Sequence, residues 1–315
     1  PYFRSFDGLN ADTASLHGRR LINFSSYNYL GLSGHPEVNR AVVDAVARYG
    51  TSVSASRVAS GQRPLHDELE AAIARFLGTE SAFVMVGGHA TNVSVLGHLL
   101  GPEDLVLHDS LAHDSILGGV RLSGAKRRPF PHNDPDALER ILAEVRPGVR
   151  RVLIAIEGVY SMDGDICPLD RFIDIKKRYG AMLFVDEAHS LGVLGQGGRG
   201  VGEHFGINPH DVDLWMGTMS KSLASCGGYI AGSAALINYL RYSVPGFVYS
   251  VGISPANAAA ALAALHLVEK HPELARELRR KSRHFLDLCK ARGIHTALAE
   301  GSAVVPCIVG NSYQC

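Results

Sequence analysis

The stretch "AMLFVDEA" (181–188) runs through five apolar residues and breaks on two carboxylates. A strand with one wet face alternates apolar and polar residues. This one does not, so both of its faces should be covered. The pattern recurs in "SAFVMV" (81–86), "DLVLHD" (104–109), "RRVLIAIEG" (150–158) and "DLWMGT" (213–218), with helical patterns such as "DALERILAEVRP" (136–147) and "LDRFIDIKKRYG" (169–180) between several of them. Buried strands alternating with amphipathic helices predict an α/β, three-layer domain on a mostly parallel sheet. Upstream, "PEVNRAVVDAVARYG" (36–50) and "LHDELEAAIARFLG" (65–78) read as helices, each stopped by a glycine. From about residue 255 the pattern turns helical, then ends on "SAVVPCIVG" (302–310), read as a strand opening a smaller α+β domain. The expected division is an N-terminal segment (1–40), a large domain (41–254) and an incomplete smaller domain (255–315).

Composition removes several classes of function. Lys plus Arg and Asp plus Glu both count 31, so no net field draws the chain to nucleic acid or to an anionic membrane. The nearest thing to a basic patch, Lys126-Arg127-Arg128, is expected to cap a strand. No apolar run approaches the ~20 residues of a membrane span. The five cysteines form no C-x-x-C pair, and the fifteen histidines include no H-E-x-x-H, so neither a disulfide framework nor a metal site is expected. A reducing, cytoplasmic setting is the simpler reading. The chain starts at Pro1 rather than at methionine, which suggests a piece of a longer protein.

In open α/β sheets, reactive groups gather beyond the carboxyl ends of the strands. Those ends carry "GGHATN", "HDSLAH", "EGVYSMDGD", "VDEAHS" and "GTMSK". Lys221, in "GTMSKSLASCGGYIAG" (217–232), is the only charged residue between Asp213 and Arg241. An ammonium among apolar and small groups loses hydration, its pKa falls, and the neutral amine that Schiff-base chemistry needs becomes available. Thr218 and Ser220 offer hydroxyls to an anion, and Gly227 and Gly228 permit close backbone approach. Asp186 ends a buried strand, where an unpaired carboxylate is costly, so it should face a cation or cap a helix. His189 follows one turn later. Gly87 and Gly88, where a strand meets a helix, form a candidate anion cradle. His108 and His113 are not separated by anything local. A phosphate, a basic ring nitrogen and an aldehyde would satisfy these groups together, and pyridoxal 5'-phosphate carries all three.

The motifs "NYLGL" (28–32), "EGVYSMDGD" (157–165), "VDEAHSLGVLG" (185–195) and "GTMSKSLASCGGYIAG" occur in this order, and the chain resembles the α-oxoamine synthases from 22–38 to 249–261. These are pyridoxal-phosphate enzymes of the aspartate-aminotransferase fold (fold type I, seven-stranded sheet), which condense an amino acid with an acyl thioester and lose CO2. The resemblance implies that Lys221 binds the cofactor aldehyde and moves the α-proton. It implies that Asp186 pairs with the pyridine nitrogen, that His189 meets the phenolic oxygen and that His113 stacks on the ring. Thr218, with the backbone of Gly88 and His89, would hold the phosphate. Ser161 would make a further cofactor or substrate contact, and Asn28 would lie near the substrate carboxylate. Where many relatives read "YSTS", this chain reads "YSVG" (249–252), so Ser250 is the residue left for a phosphate contact across a homodimer interface. Relatives continue to a carboxylate-binding arginine absent from this sequence. The expected partners are an amino acid and an acyl-CoA or acyl-carrier protein.

Within the family, "FSSYNYLGLSG" and "WMGTMSKSLASCGGYIAG" look most like synthase domains of polyketide assembly lines, then serine palmitoyltransferase, with biotin-pathway synthases and glycine C-acetyltransferases matching less well. Two other readings stand beside the condensing enzyme: an aminotransferase or amino-acid lyase with the same cofactor, and a catalytically impaired dimerisation domain.

Overall fold

The computed structural model describes residues 3–314; Pro1, Tyr2 and Cys315 lie outside that range. A hairpin of β1 (Thr13–Leu16) and β2 (Arg19–Ile22) opens the chain. Then come α1 (Pro36–Tyr49), a π-helical turn over Arg57–Gly61, α2 (Pro64–Leu77), β3 (Ser81–Met85), α3 (Gly88–Leu99), β4 (Leu105–Asp109), α4 (Asp114–Ser123) and β5 (Lys126–Phe130). The second half runs α5 (Pro135–Val145), β6 (Val152–Glu157), α6 (Leu169–Tyr179), β7 (Met182–Asp186), the short α7 (Val201–His204) and β8 (Leu214–Thr218). It continues through β9 (Gly228–Gly232), α8 (Ala234–Ser243), the short α9 (Pro245–Val248), α10 (Pro255–Lys270) and α11 (Glu273–Ala291).

Seven strands form one sheet in the order β3-β9-β8-β7-β6-β4-β5. Six are parallel, and β9 runs antiparallel between β3 and β8. The sidedness follows from the sequence. Leu105 and Leu107 of β4, Ile154 and Ile156 of β6, and Leu183 and Val185 of β7 join one core with α2, α5, α6 and α10. Their alternate neighbours Val106, Leu153, Ala155 and Phe184 join a second core with α3 and α4. An uninterrupted apolar run therefore serves two cores at once.

Helix ends obey local chemistry. Pro36 and Pro64 sit in first turns, Asp134 accepts from Ala137 N at 2.8 Å to cap α5, and Gly78 and Gly180 close α2 and α6 in the left-handed conformation.

The structure departs from the sequence reading in three places. Residues 302–310 form no strand. They run as irregular chain, and residues 303–312 line a cleft. Lys126-Arg127-Arg128 do not cap a strand. They form β5 itself, an edge position where charged side chains reach water and Arg128 pairs with Glu144 at 3.0 Å. The Gly-rich β9 was not legible as a strand, yet it is wholly buried between two neighbours. At residue 255, where the sequence suggests a boundary, α10 starts, and its Ala258, Ala261, Ala264 and Leu265 pack into the same core as the sheet.

Candidate active site

The six parallel strands bring their carboxyl ends to one edge, and a cleft of 1010 Å³ opens there. Lys221 lies just beyond β8, in a turn held by Ser225 N donating to Met219 O. Its Nζ is 2.7 Å from His189 Nε2 and 5.6 Å from the Tyr27 ring centroid. Burial lowers the Lys221 pKa to about 8, against the pull of Asp186 and Glu157, which favour the charged form.

Asp186 ends β7. Its Oδ2 accepts from Asn92 Nδ2 at 2.8 Å and its Oδ1 accepts from Ala188 N at 2.9 Å, which shapes a turn rather than a helix cap. Directly beside it in register stands Glu157, at the end of β6. Glu157 Oε1 accepts from His113 N at 2.6 Å. Burial, and then the charge of Asp186, push the Glu157 pKa well up. Among the described residues neither carboxylate has a lysine or arginine in ion-pair contact, and both line the cleft. The cation expected opposite Asp186 is therefore not supplied by a lysine or arginine at ion-pair distance.

His189 lies in the turn after β7, nearly buried. Its Nδ1 is 2.7 Å from the Tyr29 hydroxyl, and its pKa falls to about 3 through burial, then Lys221, then His113. This shift favours the neutral imidazole. His113 caps α4 through Ser115 N and lines the cleft with His89, their ring centroids 6.4 Å apart. His108, by contrast, is buried within β4, with Nδ1 2.8 Å from Asp109 O, and takes no part in the cleft.

On the far side, Thr218 Oγ1 is 2.7 Å from Ser220 Oγ and faces the first turn of α3. A Cβ on Gly88 would lie 2.8 Å from Thr218 Oγ1, so glycine is required for this close approach. Ser161 lines the cleft.

Two expected residues do not line this cleft. Asn28 does not line the cleft: its Oδ1 accepts from Ser33 N at 3.0 Å and its Nδ2 donates to Asn10 O at 3.3 Å, so its amide ties the turn to the chain at Asn10. Tyr27 and Tyr29, on either side of it, reach the cleft instead. Ser250 is also outside the residues lining this cleft, and its expected contact is one across an interface. Sequence reasoning missed Tyr29, Tyr27, Glu157, Asn92 and the wall formed by 303–312. Glu157 was findable, since it ends a fully apolar strand just as Asp186 does.

The residues fit pyridoxal phosphate on the structure's own terms. Two buried carboxylates lack a cationic partner where a protonated ring nitrogen would provide one. Asn92 Oδ1 is buried without a hydrogen-bond partner, and a helix N-terminus with two hydroxyls forms an anion cradle. Among the described residues no histidine, cysteine and carboxylate cluster could hold a metal, and no helix is long and apolar enough to cross a membrane.

Comparison with known proteins agrees. The family model for class I and II aminotransferases matches residues 19–314. The 8-amino-7-oxononanoate synthase of Geobacter sulfurreducens is 44% identical over 312 residues, covering 98% of this chain and 79% of that protein. The serine palmitoyltransferase of Sphingomonas wittichii superposes with a TM-score of 0.91 at 31% identity, over 97% of this chain and 76% of that one. A structure described as SPT with its pyridoxal-phosphate internal aldimine gives a TM-score of 0.93 at 29% identity, over 99% and 79%. The leaning toward polyketide assembly lines is corrected by these relatives, which are 8-amino-7-oxononanoate synthases in sequence and serine palmitoyltransferases in structure. Motifs that contact the cofactor serve every branch equally, so they could not rank the branches. With its lysine, carboxylate and phosphate cradle assembled at one sheet edge, the chain belongs to the α-oxoamine synthases, pyridoxal-phosphate-dependent acyltransferases that condense an amino acid with an acyl thioester and release CO2.

Proposed function

We propose that this chain joins alanine to a dicarboxylic acyl thioester. The Geobacter relative is named for 8-amino-7-oxononanoate. Cutting that product between its ketone and amine carbons leaves the aminoethyl unit of decarboxylated alanine and a seven-carbon acyl group ending in a carboxylate. The cleft suits such a chain, since Ala303, Val304, Val305, Pro306, Ile308 and Val309 give it an apolar wall opposite Lys221.

The observation that carries the catalytic reading is the Lys221 amine, poised near neutrality 2.7 Å from an uncharged His189. Bound pyridoxal phosphate supplies the electron sink that stabilises a carbanion beside the amino nitrogen. Asp186 would hold the proton of the ring nitrogen, and Thr218, Ser220 and the α3 N-terminus with Gly88 and His89 would take the phosphate. Lys221 Nζ removes and returns the proton at the α-carbon. His189 Nε2 would meet the phenolic oxygen, His113 would stack on the ring, and Ser161 would contact cofactor or substrate. Glu157, Asp186 and Met216 form a buried floor of the cleft, which limits the water able to reprotonate the carbon early.

Homodimerisation is part of the proposal. Val86, Leu111 and Met162 are exposed just past β3, β4 and β6, at the cleft edge, and Tyr249 and Val251 are exposed in the "YSVG" segment that carries Ser250. A second copy covering this face would bring Ser250 to the partner's phosphate. Cys167, Cys226, Cys289 and Cys307 are free thiols, which suits the cytoplasm.

The test is release of CO2 and free thiol from alanine with heptanedioyl-CoA or the matching carrier-protein thioester. Equal yields that vanish in Lys221→Ala support the reading. Oxo-acid formation without thiol release would instead indicate an aminotransferase. No visible absorption band with pyridoxal phosphate and no CO2 would leave a non-catalytic dimerisation domain.

A further inference from the structure

Tyr29 reaches the cleft from the N-terminal segment, 160 residues before its partner, and places its hydroxyl 2.7 Å from His189 Nδ1. On the other side of the ring, Nε2 lies 2.7 Å from Lys221 Nζ. The three groups form one hydrogen-bonded line from phenol to amine. Among the described residues the Tyr29 hydroxyl has no other hydrogen-bond partner. A phenol has a single proton to donate, and Nδ1 accepts it only when the imidazole proton sits on Nε2. The opposite arrangement, Nδ1–H donating to the phenol oxygen, leaves the phenol's own proton with no protein acceptor among the described residues.

We propose that Tyr29 is a positioning residue that fixes His189 as the Nε2–H tautomer, so that the histidine presents a donor toward Lys221. The consequence for the lysine is direct. An ammonium can only donate, whereas a neutral amine has a lone pair to accept from Nε2–H. The tautomer held by Tyr29 therefore favours the reactive form of Lys221. It opposes Asp186 and Glu157, whose charges favour the ammonium, while the Tyr27 ring faces Nζ at 5.6 Å and His113 faces His189. Burial, with Tyr27 nearby, keeps the Tyr29 phenol protonated beyond the usual range, so its donor persists through the working pH. The hydrogen bonds stand independently of the proposed reaction, and only their effect on turnover rests on it.

Nitrogen-15 NMR of the histidine-labelled full chain, with the His189 signal identified by its loss in His189→Asn, reads the tautomer directly. The wild type should show Nε2–H, and Tyr29→Phe should shift His189 toward Nδ1–H. Competitive acetylation, with the Lys221 peptide followed by mass spectrometry, should show its pKa rising in Tyr29→Phe. Its reactivity at pH 7.5 should fall about threefold to tenfold, the span expected for one lost hydrogen bond. In the loaded enzyme kcat should fall by a similar factor with both KM values held within about twofold. An Nδ1–H wild type, or a Tyr29→Phe variant with unchanged His189 shifts and Lys221 profile, overturns the proposal. A tautomer shift in a protein that condenses no substrate upholds it and rejects the proposed reaction.

Discussion

Replacing Lys221 with methionine should make the cofactor-free chain more stable while abolishing its chemistry. Folding lowers the Lys221 pKa from 10.5 to about 8. Each pH unit of displacement corresponds to about 1.36 kcal/mol, so the charged lysine costs the folded chain at most about 3.4 kcal/mol at pH 7. The amine lines an open cleft, and screening by water reduces this to about 2 kcal/mol. Methionine matches the stem of lysine in length and carries no charge. It forfeits the 2.7 Å contact to His189, but Nε2 then faces the cleft, where water can replace the lost partner. The net expectation is a gain of about 1–2 kcal/mol at pH 7.

The pH dependence distinguishes this cause from better packing. Below pH 8 the folded and unfolded chains both hold the Lys221 proton, and the full cost is present. Between pH 8 and 10.5 the folded chain gives up the proton while the unfolded chain keeps it, so wild-type stability rises relative to the variant. Urea unfolding of both proteins without cofactor, at pH 7, 8, 9 and 10, measures the gap. It should shrink steadily above pH 8. A variant no more stable than wild type at pH 7, or a gap independent of pH, refutes the argument that burial strains this lysine.

Gly88→Ala should weaken cofactor binding about tenfold or more, read by absorbance titration, because its Cβ would stand 2.8 Å from Thr218 Oγ1 and push that hydroxyl out of the cradle. Glu70→Ala should cost about 3–5 kcal/mol in denaturant unfolding, since Glu70 pairs with buried Arg57, accepts from Arg241 at 2.9 Å and accepts from Val84 N at 2.9 Å. His132 lies between Asp109 at 2.9 Å and Asp165 at 2.8 Å; burial opposes its charge, but the two carboxylates prevail and raise its pKa above 6.5. Its contribution is full below pH 6.5 and lost as pH rises through the raised value, so His132→Gln should destabilise by about 1–3 kcal/mol at pH 6 and by less in alkali. Sedimentation should show a dimer, and Val251→Glu should shift it toward monomer.

The strands were legible wherever they serve two cores, because a continuous apolar run has few other uses in a globular chain. β9 was not, since its position depends on small residues that let it lie between β3 and β8. Glycine and alanine announce tolerance rather than a strand. The site was legible from residues that interrupt buried runs: Asp186, Thr218 and Lys221 are out of place beside their neighbours. Tyr29 was not, because tyrosine in a polar segment looks like any half-exposed aromatic. Its role arises only when the fold lays the N-terminal segment against the turn after β7. Asn28 does not line the cleft, because its amide joins Ser33 N in the same turn to Asn10 O, eighteen residues earlier.

The cleft is electrostatically costly as a whole, and the costs are mutually dependent. Glu157 and Asp186 are register neighbours, and burial pushes Glu187, the next residue along, up to about 7. Glu187 is compensated by its own partners, the Ser190 hydroxyl and Val201 N. Asp186 has Asn92 and one backbone donor, and Glu157 has one backbone donor, so the carboxylates with the fewest protein partners are those that face the cleft. A ring cation held there would satisfy Asp186 and, by neutralising it, lower the pKa of Glu157. Cofactor binding should therefore raise thermal stability, and Asp186→Asn should lose most of that gain. Thermal unfolding with and without pyridoxal phosphate measures that gain, and a gain unchanged in Asp186→Asn would contradict the pairing of Asp186 with the ring nitrogen.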